Sequence, residues 1–183
     1  GTNDAWQGEL MTNTGVREWA ERQARAYSGD DDRPLGGYLK VLGAYAGIVG
    51  GASGLGRLMR RSVPETVGPW DLVLLSVATH RLSRTLAKDP IASPLRAPFT
   101  EYEGVGAAAE LKEQVRTEHG LQHSVGELIS CPMCLAQWVA TVFGVGLVFA
   151  PRQTRLAMAV LSAVAASDFL QYLYSVLQQQ AGE

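Results

Sequence analysis

The sequence predicts an all-α fold, an integral membrane helical bundle with a C-terminal transmembrane hairpin, on three observations. The chain of 183 residues carries 16 Lys and Arg and 18 Asp and Glu, yet its last third is nearly free of them. Such segregation suits a protein partly in lipid and partly in water. Two apolar runs of bilayer length, Cys131–Ala150 and Leu156–Leu177, are joined by five polar residues. A soluble pair of helices would carry a charged face on each, and neither run has one.

The elements follow in order. Residues 1–37 form a polar segment with a short amphipathic helix: Val16, Trp19, Ala20, Gln23 and Tyr27 share a face, and Glu18–Arg22 and Glu21–Arg25 are favourable i,i+4 pairs. The opening Gly1–Gln7 is polar and shows no signal-peptide pattern. Asp30-Asp31-Asp32-Arg33-Pro34 reads as a solvated breaker. Residues 38–177 are expected to form a helical membrane domain. Its first span, 38–58, is Gly-rich and at ~1.5 Å per residue can cross a core of ~30 Å. Gly43, Gly47 and Gly51 recur every four residues, a small-xxx-small pattern that admits a close helical neighbour. Arg57, Arg60 and Arg61 then suggest a cytoplasmic end.

Residues 70–88 predict a basic amphipathic or buried second helix, with His80, Arg81, Arg84 and Lys88 on one side. A charge at mid-bilayer costs about 2.5–3.5 kcal/mol, which argues against a lipid-exposed span. Residues 89–130 read as a polar loop with short helices over Ala107–Glu118 and Leu121–Ile129, the first closed by Gly120. The hairpin occupies 131–150 and 156–177, with Pro151–Arg155 as a tight basic connector and 178–183 as a tail. Asp168 is the only charge in the last run, and Tyr172 and Tyr174 lie toward an interface.

Several function classes fall away. A net charge of -2 with no repeating basic face gives no case for nucleic acid. Two cysteines, three apart, exclude a multi-disulfide scaffold. Those cysteines, Cys131 and Cys134, follow Ser130 at an N-cap position and flank Pro132 in a first helical turn, where the macrodipole favours thiolate. They can form a redox couple. They can also form half a zinc site completed by His119 and His123, although Gly120 separates the histidines and the cysteine pair comes second. The plainer reading is two small polarizable residues packing where a helix begins. Glutaredoxins also open a helix with C-P-x-C, but their α/β alternation is missing here. His80, Arg81, Arg84 and Asp168 form a second constellation, either an ion path or, as favoured here, a salt bridge between helices that Gln137 and Gln171 can join. No cofactor is expected, zinc being the alternative.

Four motifs in order, Ala78-Thr79-His80-Arg81-Leu82-Ser83-Arg84, Ser93-Pro94-Leu95-Arg96-Ala97-Pro98-Phe99, Gly126 to Cys134 with Trp138, and Ser167-Asp168-Phe169-Leu170, resemble the bacterial domain-of-unknown-function family 1360. The likeness runs from about Gly36 to Leu177. Met133 replaces the family's usual aromatic, and Ala136 replaces a frequent glycine. The resemblance implies a small helical protein of the bacterial cell membrane, with some relatives labelled sporulation-associated, and it adds weight to Cys131, Cys134, Arg84, Arg96, Trp138 and Asp168. The expected role is a non-enzymatic scaffold or assembly subunit, whose partners are the lipid bilayer and helices of itself or another membrane protein. A membrane thiol-redox protein and a zinc site are the alternatives.

Overall fold

A computed structural model describes residues 35–62, 66–107, 109–117 and 120–182, with several positions between 15 and 27. Those early positions are helical and exposed, and Arg22 lies 3.8 Å from Glu18. Ala20 and the Asp30–Pro34 breaker fall outside the described residues.

The helices are α1 (Leu35–Leu58), α2 (Pro69–Lys88), α3 (Gly120–Ser130), α4 (Pro132–Phe149) and α5 (Pro151–Ala181). Prolines set three of the starts. Pro69, Pro132 and Pro151 each occupy a first-turn position, where the missing N–H goes unneeded and the fixed φ suits the helix. α2 stops at Asp89, whose carboxylate accepts from the Ile91 amide at 3.0 Å and caps a short 3-10 turn, Pro90–Ala92.

α4 and α5 form a tight hairpin that corrects the expected connector. Pro151–Arg155 is not a linker but the first turns of α5, and only Ala150 reverses the chain. Gly146 makes this possible: a Cβ there would sit 2.5 Å from Thr154 Oγ1. α5 also runs through Ala181, so most of the expected tail is helix. At ~1.5 Å per residue, α4 is about 27 Å long and α5 about 46 Å. Asp168 therefore lies about 26 Å along α5, level with the first turn of α4 and not at mid-span.

α2 packs along both hairpin helices. Ala78, Val139, Phe143 and Met158 form the buried cluster, surrounded by Leu74, Leu82, Leu135 and Leu161. Of the two readings offered for this stretch, packing against neighbours is the one adopted. α1 runs beside α4: Tyr45 meets Trp138 edge to face at 5.2 Å, and a Cβ at Gly56 would lie 3.7 Å from the Phe149 ring. Among the described helices, α4 and α5 are long and apolar enough to cross a membrane, and α1 is not. The first span expected over 38–58 is thus not among these candidates, falling short in apolarity and not in length. Its glycines supply little apolar surface, and Lys40 and Arg57 lie within the helix.

The all-α expectation also needs correction over the 89–130 loop. Strands β1 (Thr100–Val105) and β2 (Leu111–Val115) pair antiparallel, Thr100 opposite Val115, with an irregularity between Tyr102 and Gly104. The polar helix expected over Ala107–Glu118 is absent from its described residues, which include all of β2. Leu111, Glu113 and Val115 turn inward while Lys112 and Gln114 face water, the period of a strand. α3 lies on this hairpin at Gly126, where a Cβ would meet Val115 at 2.6 Å.

These contacts give the bundle two ends. The cap comprises β1, β2, α3, the start of α1 and the end of α2. The tip comprises the end of α1, the α4–α5 turn and the start of α2, where Arg155 grips Asp71 through two 2.8 Å hydrogen bonds.

Candidate functional site: a dithiol beside a polar cap

Cys131 joins α3 to α4 and is itself the N-cap, a place the sequence reading gave to Ser130. Ser130 ends α3 and donates back to the Gly126 carbonyl at 2.7 Å. Cys131 has an extended backbone (φ -102, ψ 109), and its sulfur accepts from the Cys134 amide at 3.4 Å. Partial burial opposes ionisation of this thiol. The Cys134 thiol, the Cys134 and Met133 amides and the Lys88 ammonium outweigh it, so its pKa is held below the ordinary thiol value. Both thiols are free; Cys134 is exposed and Cys131 half-buried.

Cys134 opens onto a groove of about 410 Å³ walled by Tyr38, Leu42, Tyr45, Leu128 and Trp138, with Glu127 and Gln137 at its polar edge. The Tyr45 hydroxyl accepts from Gln137 at 2.7 Å and lies 2.8 Å from Thr141 Oγ1. Tyr38 donates to Glu127 at 2.6 Å. Trp138 thus acts as a wall of the groove, packed on Tyr45.

His123 directs Nδ1 to the Thr117 carbonyl at 2.6 Å and holds Nε2 3.2 Å from Glu127. Both ring nitrogens are therefore engaged away from the thiols. His119 lies outside the described residues. Among the described residues, no three His, Cys, Asp or Glu side chains converge as a metal set.

The second constellation gathers at the cap. Arg81 Nε lies 3.2 Å from Asp168, and a second guanidinium nitrogen lies 3.9 Å from Asp89. Arg84 pairs with Glu110. His80 lines an adjoining cleft of about 670 Å³ with Arg81, Arg84, Asp168, Phe169 and Tyr172. Gln171 borders the same charged region, with its amide 3.4 Å from Ser167, while Gln137 belongs to the thiol-side groove.

Arg96 is only 1% exposed. It bonds Glu113 through Nε at 2.6 Å and Nη2 at 3.1 Å, and Nη1 reaches the carbonyls of Leu86 and Asp89 at 2.8 and 3.1 Å. One guanidinium therefore ties the hairpin to the end of α2. Its partner Glu113, and Glu110 that pairs with Arg84, were not singled out in the sequence, where both fall in the helix expected over Ala107–Glu118. The strand alternation from Leu111 to Val115 was the available signal. A Cβ placed at Gly43, Gly47 or Gly51 would meet nothing within 4 Å among the described residues.

The profile of a family described as protein of unknown function DUF1360 matches residues 74–174. The chain is also 38% identical over 71 residues to sporulation protein YjcA of Bacillus subtilis (strain 168), a match covering 38% of this chain and 60% of that protein. The chain thus spans less than two thirds of the length of the relative it matches. No solved structure matches it. The family match takes in most of α2, the β1–β2 and α3 parts of the cap and nearly all of the hairpin, and leaves α1 outside; this chain belongs to the DUF1360 family.

Proposed function

We propose that the chain is an integral scaffold or assembly subunit of the bacterial cell membrane, inserted with its tip in the cytoplasm and its cap and dithiol outside. What carries this reading is the surface that the helices leave uncovered. Only 11% and 6% of the most apolar windows of α4 and α5 are fully buried; most of α5 is exposed, and most of α4 is half-buried. Val142, Leu156, Val160 and Phe169 are among the exposed side chains. Hydrocarbon accommodates such faces, and α1 is held at the same depth by its contacts with α4. The open Gly43, Gly47 and Gly51 face then suits a second copy of the helix at close approach.

The ends supply the orientation. Arg57, Arg60, Arg61, Arg152 and Arg155 cluster at the tip, with Asp71 the acid that pairs there. The cap also carries Arg81, Arg84, Lys88, Arg96 and Arg116. The tip is assigned to the cytoplasm because Arg57, Arg60 and Arg61 there are unpaired among the described residues, not because arginine is confined to that end. The name of the Bacillus relative extends the proposal to membranes of sporulating cells.

Two differently tagged full-length copies are expected to co-purify from membrane extracts, and Gly47→Leu is expected to abolish this with helicity unchanged. Co-purification indifferent to that substitution would remove the glycine face from the account.

A thiol–disulfide couple is the second reading, favoured by Cys131 as a thiol N-cap beside Cys134. Two thiols would give one disulfide, passing two electrons and two protons to an acceptor. Outside the cytoplasm the pair would rest oxidised. Alkylation that begins only after reductant supports this reading; free thiols in intact cells would sink it.

A further inference from the structure

We infer that the groove between α1 and α4 at the tip binds an anionic phospholipid, with the phosphate on Arg57 and Arg61 and an acyl chain along the apolar wall. The groove has a volume of about 280 Å³. Its wall includes Val49, Ala52, Val145 and Val148, and small residues such as Gly144 leave the space open. Arg57 and Arg61 stand at its mouth. Their side chains, like that of Arg60, are exposed and have no ion-pair or hydrogen-bond partner among the described residues. Arg155, at the same end, is fully engaged by Asp71. Unengaged guanidinium forks match phosphate oxygens in geometry and charge.

The backbone keeps these arginines over the groove. α1 ends in a Schellman turn: the Arg61 amide donates to the Gly56 carbonyl at 2.8 Å and the Arg60 amide to the Arg57 carbonyl at 3.1 Å. The left-handed position, usually glycine, is Arg60 with φ 51. The turn folds Arg61 back toward Gly56, a lining residue, when an ordinary exit would carry it away. A free phosphate would use the arginines and ignore the wall. A phospholipid uses both, and basic pockets between helices at the cytoplasmic face bind such headgroups.

This inference rests on the proposed membrane insertion, and the experiment separates the two. The delipidated full chain is offered vesicles of phosphatidylcholine and phosphatidylglycerol with matched acyl chains in equal parts, floated, repurified, and its retained lipid measured by mass spectrometry. Two arginines predict an enrichment of phosphatidylglycerol of roughly thirtyfold. Arg57→Gln with Arg61→Gln is expected to bring retention near parity. Gly144→Leu, which fills the groove and spares every charge, is expected to lower it several-fold with helicity intact. Floated protein that retains both lipids equally overturns the site alone, as does enrichment surviving the double substitution. Enrichment unaffected by Gly144→Leu overturns the groove in favour of diffuse surface charge. Displacement by glycerol phosphate at equal concentration overturns the lipid in favour of a free phosphate. A chain that floats with neither vesicle overturns the membrane reading together with the site.

Discussion

The two ends of the bundle are both rich in arginine and use it in opposite ways. At the cap, Arg81, Arg84, Arg96 and Arg116 each face a carboxylate, and Arg96 is buried with three further hydrogen-bond acceptors around it. At the tip, Arg57, Arg60 and Arg61 are exposed without side-chain partners among the described residues. A buried guanidinium tolerates its environment only when its donors are satisfied, so Arg96 is structural, while Arg81, Arg84 and Arg116 form partly exposed pairs. Exposed and unpaired arginines add nothing comparable to folding, which leaves them free to act on a membrane or a ligand. The lesson is that residue type alone does not separate the two roles. The acids beside the arginines do: Glu101, Glu110 and Glu113 from the β-hairpin, and Asp89 and Asp168 for Arg81.

The comparison can be broken most forcefully at Arg96. Arg96→Met leaves Glu113 buried without its partner and is expected to cost about 3–5 kcal/mol, read as a lower Tm in detergent. Adding Glu113→Leu should recover part of this, since the Leu86 and Asp89 carbonyls still lose their donor. Arg57→Gln with Arg61→Gln should stay within about 0.5 kcal/mol. Equal losses at the two ends would end the contrast.

Glycines sharpen it next. Gly37→Ala places a Cβ 2.2 Å from Ser124 Oγ and is expected to destabilise the cap by about 1–3 kcal/mol. Gly47→Ala meets open space and should stabilise the isolated chain by about 0.5–1 kcal/mol while weakening association. A smaller effect is expected at Arg81 and Asp168, whose side chains are 27% and 49% exposed. Solvent screening limits their coupling in a double-mutant cycle to about 0.2–1 kcal/mol.

The least disruptive test is chemical. Because the Cys131 pKa is lowered, its alkylation rate should reach half-maximum at a pH below that of an ordinary thiol. Cys134→Ala removes a donor to that thiolate and should move the midpoint upward. A midpoint at or above the ordinary value in the unmodified chain contradicts the N-cap geometry.

The hairpin was legible in the sequence because two long runs without charge lie on either side of a short break. The Arg81–Asp168 contact was legible for a related reason: an acid in such a run calls for a base. Its level along the bundle was not legible, because Pro151 starts α5 five residues before the apolar run. The cap position was displaced by one residue. Serine is the commoner N-cap, but Pro132 at the first helical position makes Cys131 the cap. The β-hairpin was missed because Glu, Lys and Gln favour helix by propensity while their alternation favours strand. Glu113 could not be singled out, since only the folded chain brings it to Arg96.

The central claim is that the arginine-bearing tip is cytoplasmic and the cap with its thiols is outside. It is tested most directly by two single-cysteine chains in intact cells. One keeps Cys134 with Cys131→Ser; the other carries Gln153→Cys at the tip with Cys131→Ser and Cys134→Ser. The account predicts that a membrane-impermeant maleimide labels the first at once and the second only after permeabilisation. Labelling of Gln153→Cys in intact cells, with Cys134 protected, would contradict it.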